Sequence, residues 1–429
     1  MKPVLLLTLL LPGAALAHEL VPGKAQSKPV LLRGGDLHTV SQGVLAGTDL
    51  LFESGKITKI GRDLAAPEAA DVVDVRGKRV YPGLIAPATI IGLRDIDAVR
   101  ATRDETEVGR IHPEVSASVA YNPDSEIIPT VRNHGIAVAQ IAPSGSLLRG
   151  RSFITNLDGW TKDDSAVRLA DGMFLAWPAV AAPTVAAPAG SKPKEGPSND
   201  QKAEDERTEL RRAFDDARGY MLAKKAGTSY GADLRWEAMI PVLEKSQPLY
   251  VVANDARQIV EAIDFAKAQD VRMILVGGAE AHRAAAKLVE AGIPVILRNV
   301  IERPLRQDDA YDLAYRVPAL LHEAGVTFCL SNEGSWQARN LPLQAGQAVA
   351  YGLPHDVALR AITLSAAKIL GVDGELGSLD VGKRATLFVQ DADPIDNFGA
   401  PVERMWIDGR EVDLDDRQKR LRDKYRQKP

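Results

Sequence analysis

Hydrophobic and polar positions divide the chain into three textures. Between residues 28 and 80 short apolar runs are separated by glycine and polar turns. Val30-Leu31-Leu32 and Leu50-Leu51-Phe52 come first, then a Glu53-Ser54-Gly55-Lys56 turn and the alternating Ile57-Thr58-Lys59-Ile60. Period-two alternation bounded by turn residues predicts strands, so this stretch reads as a small β module. From Tyr81 onward apolar runs alternate with segments of helical periodicity, the signature of βα units and a parallel sheet. Strands are expected at 84–91, 136–141, 173–177, 249–253, 273–276, 294–297 and 326–330. Helices are expected at 256–269, 280–291 and 309–324; in the first of these Ile259, Ile263 and Ala266 share a face. This α/β repetition over 81–373 favours a (β/α)8 TIM-type barrel over an open doubly wound sheet. After Gly374 strand signals return at 385–390 and 402–407, with Asp408-Gly409 as a hairpin turn. The simplest assembly joins both chain ends, 28–80 and 374–416, into one composite β-sandwich beside the barrel.

Three segments stand outside this plan. Residues 1–17 have Lys2, an apolar run from Val4 to Leu11, Pro12-Gly13 and a small-x-small Ala15-Leu16-Ala17. They read as a signal peptide cleaved after Ala17, which predicts a periplasmic or secreted protein. Residues 181–206 carry Ala-Pro repeats and Ser191-Lys192-Pro193-Lys194-Glu195-Gly196-Pro197, read as a flexible surface insertion leading into a charged helix at 205–224. The basic tail 417–429 reads as a solvated helix. No stretch offers the roughly 20 apolar residues of a membrane span.

Composition narrows the chemistry. Of 429 residues 45% are hydrophobic and 26% charged, which is ordinary globular usage, and a net charge of −4 argues against a general nucleic-acid binder. The single cysteine, Cys329, cannot close an intrachain disulfide, and its neighbours Phe328 and Leu330 favour a buried inert thiol. Seven histidines suffice for a metal site only if several converge. His18, His38, His112, His134, His282, His322 and His355 include no His-x-His or His-Glu-x-x-His arrangement, and only His112 falls on an expected loop at the ligand-binding end.

Several stretches carry a more specific signal: Gly77-Lys78-Arg79-Val80-Tyr81-Pro82-Gly83-Leu84-Ile85, then Leu341-Pro342-Leu343 with Ala358-Leu359-Arg360-Ala361-Ile362-Thr363-Leu364, then Gly377-Ser378-Leu379-Asp380-Val381-Gly382-Lys383, and finally Trp406-Ile407-Asp408-Gly409-Arg410. In order and spacing, over residues 28–416, they resemble the amidohydrolase superfamily, of the imidazolonepropionase-like kind. The resemblance implies a barrel with a composite β-sandwich that hydrolyses non-peptide C–N bonds of linear or cyclic amides. It also implies a divalent metal such as zinc, which polarises the carbonyl and acidifies bound water. The family's Asp-x-His-x-His after Pro-Gly-Leu-Ile aligns with Ala86-Pro87-Ala88-Thr89-Ile90, so Ala88 and Ile90 stand at two ligand positions. Asn254 and Gly277 stand at two more. No metal is therefore expected. The family's terminal Gly-Thr-Asp resembles Ser331-Asn332-Glu333, which makes Glu333 the candidate catalytic carboxylate.

Polar residues just past the expected strands are the candidate substrate contacts: Arg103 and Asp104, Asn254 and Asp255, Arg339 and Asn340. They suit a carboxylate-bearing small molecule with arginine as a bidentate anchor. The loop 143–151, with Arg149 and Arg151, is a further anion contact. Three readings stand open. One is a degenerate amidohydrolase acting as a binding or assembly subunit, in a homo-oligomer or with an intact amidohydrolase. Another is an active hydrolase with a relocated carboxylate site around Glu333 and Asp255 holding a hard metal. The last is an exported ligand-binding barrel.

Overall fold

The computed structural model describes residues 21–145, 147–179, 199–228, 231–396 and 401–428. The expected signal peptide and residues 181–198 of the expected insertion lie outside the described residues.

Both chain ends contribute to an eight-stranded sheet. Its order runs Arg410–Glu411, Arg404–Ile407, Leu387–Gln390, Arg79–Pro82, Val30–His38, Val44–Glu53, Lys56–Gly61, with Asp71–Asp74 pairing alongside Val30–His38. The join is antiparallel, Phe388 lying opposite Tyr81. Period-two alternation puts Leu50 and Phe52 on one face with Leu387, Val389 and Trp406, all buried, and Trp406 meets Phe52 edge-on at 5.7 Å.

The middle of the chain is mixed α/β. Five parallel strands, Met173–Ala176, Leu249–Ala253, Met273–Gly277, Val295–Arg298 and Phe328–Ser331, neighbour one another in that order. Leu148–Arg151 adds antiparallel at the Met173–Ala176 edge. A second sheet has the order Ala166–Arg168, Phe153–Asn156, Ile136–Ile141, Leu84–Thr89, the last two parallel. The three strands at 148–151, 153–156 and 166–168 were not expected. They are short, and Leu148-Arg149-Gly150-Arg151 has none of the β-branched enrichment by which a strand is recognised. Half of what reads as a glycine loop at 143–151 is thus strand.

The two sheets touch at both ends of their orders. The Ser331 hydroxyl donates to the Pro87 carbonyl at 2.5 Å and the Ile90 amide to Gly334 at 3.4 Å. At the other end a buried polar network crosses from one sheet to the other. Asp171 accepts from Gln140 Nε2 at 2.6 Å, Tyr250 Oη at 2.8 Å and Ser152 Oγ at 3.2 Å.

Helices cover the outer faces of the strands. The expected insertion ends sooner than its composition implied, because residues 199–206 belong to the helix Asn199–Lys225. Leu210, Phe214, Ala217 and Met221 form its buried stripe, and Phe214 packs edge-on to Phe265 at 5.1 Å. That stripe needs the helix even where proline-rich sequence precedes it. Among the described residues no helix is long and apolar enough to cross a membrane. Cys329 is fully buried, and burial pushes its thiol pKa up.

Candidate functional site

Ligand sites on parallel sheets gather where the strands end. Here the ends of Leu84–Thr89, Val295–Arg298 and Phe328–Ser331 surround a cavity of about 540 Å³. Ala88, Ile90, Arg149, Arg298, Glu333 and Asn340 all line it.

The first strand does not run straight into this cavity. Its pairing with Ile136–Ile141 slips between Ala86 and Thr89, and Ala88 sits at φ +52°. A non-glycine residue there is held by its surroundings. The Ala88 amide donates to Gln140 Oε1 at 3.0 Å, and its carbonyl accepts from Arg298 Nη2 at 3.2 Å. Residues 88 and 90 are therefore not neighbours on one face of a regular strand. Both line the cavity, but through a distorted strand end rather than through period-two geometry.

Arg298 is the last residue of its strand, and its side chain is only 11% exposed. Nη1 donates to Glu333 Oε1 at 3.1 Å, and Nε is buried without a hydrogen-bond partner. Burial lowers the pKa of this guanidinium, with the Glu333 carboxylate opposing the shift. Arg149 is more poorly compensated. Among the described residues its side chain makes no hydrogen bond, and its Nε is buried. Burial, with the like charge of Arg298 adding to it, pushes its pKa down to about 10. Glu333 is held by its amide, which donates to Asn299 Oδ1 at 3.0 Å, while its side chain is 61% exposed.

A second cavity of about 290 Å³ adjoins the first. Arg298, Asn299, Glu302 and Glu333 line both, and Leu297, Val300, Leu305 and Val317 give the second an apolar wall.

The other expected site residues are placed less centrally. Asn254 lines the second cavity, its side-chain oxygen accepting from the Ala279 amide at 3.4 Å. Gly277 has φ +101°, and a Cβ there would lie 2.6 Å from Asn254 Oδ1, so this position cannot carry a side chain without rearrangement. Asp255 lines neither cavity. It caps the helix Ala256–Ala268 and accepts from Arg306 Nη2 at 2.9 Å. Arg103 is surface-exposed and reaches Glu105 at 3.4 Å, and Asp104 is exposed beside it. Arg339 lies over the Trp336 ring at 6.0 Å, and its charge adds to burial, the main cause, in lowering the pKa of His134. Glu333 and Asp255 therefore do not share a site. Among the described residues one group of metal-type side chains converges, His355 with Asp393 and Asp396. It lies beside Tyr81, ahead of the start of Leu84–Thr89 and so at the opposite end of that strand from the cavity. Asp393 is already engaged there by the Tyr81 hydroxyl at 3.1 Å and by Arg79 at 3.7 Å.

Sequence reasoning missed Arg298 because the strand was ended at residue 297. The signal was present: an arginine closing an apolar strand points to the ligand-binding end of a parallel sheet.

Comparison with known proteins places this architecture. A sequence profile described as amidohydrolase family matches residues 253–412. The crystal structure of an amidohydrolase from Thermotoga maritima MSB8 superposes with a TM-score of 0.77 at 26% identity, covering 90% of this chain and 99% of that one. The chain belongs to the amidohydrolase superfamily. Other superfamily relatives are more distant or matched only in part. Amidohydrolase tasK of Hapsidospora irregularis is 23% identical over 387 residues, 84% of this chain and 39% of that protein. An imidazolonepropionase from Fusobacterium nucleatum is 24% identical over 195 residues, 42% of this chain and 47% of the relative. The chain thus spans less than half the length of these two curated superfamily members.

Proposed function

We propose that this protein is an exported, catalytically silent amidohydrolase-superfamily member that binds a small organic anion and does not hydrolyse it. One observation carries the reading: two half-buried guanidinium groups, Arg149 and Arg298, line the cavity at the strand ends, and of the acidic side chains that line it only Glu333 is bonded to either of them. We also read the two sheets as arcs of a single (β/α)8-type barrel. The hydrogen bonds from Ser331 to Pro87 and from Arg298 to Ala88 support that closure.

The divalent metal of the superfamily does not fit these residues. Ala88 and Ile90 offer hydrocarbon, Gly277 offers nothing, and Asn254 is turned to a backbone amide. Two like-charged guanidinium groups facing the same space repel a cation and attract an anion. The relocated-carboxylate reading finds little support, since Asp255 is committed to its helix cap and to Arg306.

The test is metal analysis of dialysed protein beside an amide-hydrolysis screen. The expected result is less than stoichiometric zinc, manganese or iron, and no turnover above background. A full equivalent of metal with turnover that Glu333→Ala abolishes would overturn the proposal.

A further inference from the structure

We infer that the ligand of this cavity is an amphiphilic monocarboxylate, its head between Arg149 and Arg298 and its apolar body in the adjoining cavity. The inference rests on the binding-protein reading and adds a ligand class to it. Three observations carry it.

The first is charge sorted by depth. The cavity lining has three basic and three acidic side chains: Arg94, Arg149, Arg298, Asp97, Glu302 and Glu333. Arg94 is already bonded to Glu105 and Asp97, and Asp97 and Glu302 are exposed at the rim. What remains is a half-buried pair of guanidinium groups with one acid, the exposed Glu333 carboxylate, bonded to it. A single added negative charge brings it to neutrality, whereas a dianion overshoots.

The second is unused donor capacity. A guanidinium has five N–H donors, and burying them without acceptors is costly. The Arg149 side chain makes no hydrogen bond among the described residues, and Arg298 has a free buried Nε. Arg298 keeps Nη1 on Glu333 and Nη2 on the Ala88 carbonyl. Glu333 is largely exposed and is followed by Gly334 at φ +109°. It therefore sits where a ligand carboxylate would sit, as an internal competitor for Arg298.

The third is the adjoining space. The two cavities meet at Arg298, Asn299, Glu302 and Glu333, and beyond this meeting point the wall turns apolar with Leu297, Val300, Leu305 and Val317. An anion held at Arg298 has this larger aliphatic wall on the side of the second cavity, which offers an apolar body attached to it a surface to cover.

The experiment is calorimetric titration of the full-length protein with acetate, butyrate, hexanoate and octanoate, and with inorganic phosphate. Affinity should rise about fourfold per buried methylene from acetate to hexanoate, and phosphate should bind more weakly than hexanoate. Leu305 is exposed, so Leu305→Asn leaves the core intact and the charge of the site unchanged. It should erase the chain-length dependence while acetate binding is retained. Glu333→Gln should tighten every carboxylate about tenfold by releasing Arg298, the opposite of what removal of a catalytic or metal-binding carboxylate does. Equal affinity for acetate and hexanoate, phosphate binding at or above hexanoate, or weaker binding by Glu333→Gln would each overturn the inference. Metal content and hydrolysis are measured on the same preparation. A metal-free protein blind to chain length refutes this ligand class alone, and a metal-loaded hydrolase refutes the reading beneath it.

Discussion

Arg149→Met should make the protein more stable and less able to bind anions. Methionine keeps an aliphatic stem in the same space and drops the charge. The guanidinium pKa, pushed from 12.5 down to about 10 by burial and by Arg298, measures what holding that charge costs the fold. At 1.36 kcal/mol per pKa unit this amounts to roughly 3 kcal/mol, and water entering an open cavity reduces it, so a gain of about 1–3 kcal/mol is expected. A base whose pKa is lowered on folding destabilises the folded state wherever both states are protonated. The gain should therefore be the same at pH 6 and pH 8 and shrink only as the pH climbs past about 10. For a chain of this length, 1 kcal/mol corresponds to about 1 °C, so Tm should rise by about 1–4 °C. The assay is thermal unfolding followed by circular dichroism, with carboxylate titrations on the same samples. Affinity should fall at least about tenfold, since one of the two cationic anchors is lost. A lower Tm would show that Arg149 is compensated in the fold and refute the reasoning. An unchanged Tm with full affinity would show that the residue faces neither a cost nor a ligand.

Four further outcomes follow. Asp171→Ala leaves the Tyr250 hydroxyl and the Gln140 amide without their buried acceptor, and should lower stability by about 2–5 kcal/mol in urea unfolding. Because Gln140 holds the Ala88 amide, the same variant should weaken carboxylate binding; full stability and full affinity would contradict the network. Gly277→Ala places a Cβ 2.6 Å from Asn254 Oδ1 at φ +101° and should cost at least about 2 kcal/mol, whereas Ala88→Gly relieves φ +52° and should be neutral or gain up to about 1 kcal/mol; the urea midpoints decide both. Burial lowers the pKa values of His38, His134 and His282. Their stabilising contribution is present above pH 6.5 and is lost as pH falls from there towards the folded-state values, so Tm should drop over that window, and replacing them with glutamine should flatten the pH profile.

Much of the secondary structure was legible because hydrophobic periodicity is a local property. The strand Ile136–Ile141 and the strand Leu249–Ala253 fall where their apolar runs put them, and the helix Ala256–Ala268 ends within a residue of its expected bound. The short strands at 148–151, 153–156 and 166–168 were not legible, because their pairing comes from neighbours far along the chain. The helix at 199–206 was hidden by the proline-rich sequence before it, since its buried face is set by what it packs against.

The site divides the same way. Residue identity alone established that Ala88, Ile90 and Gly277 bring no metal-ligating atom to their positions, whatever the fold does with them, because ligand chemistry is a property of the side chain. Identity also marked Glu333 and Arg149 as bearers of charge. Which charges meet was decided only by the tertiary structure. It tied Asp255 to a helix cap, left Arg103 and Asp104 on the surface, and turned Arg339 onto Trp336. It drew Arg298 and Arg149, nearly 150 residues apart in sequence, to the wall of one cavity. Burial is what singles these two arginines out as candidate anion contacts, because a guanidinium in water is satisfied by solvent and a buried Nε without an acceptor is not.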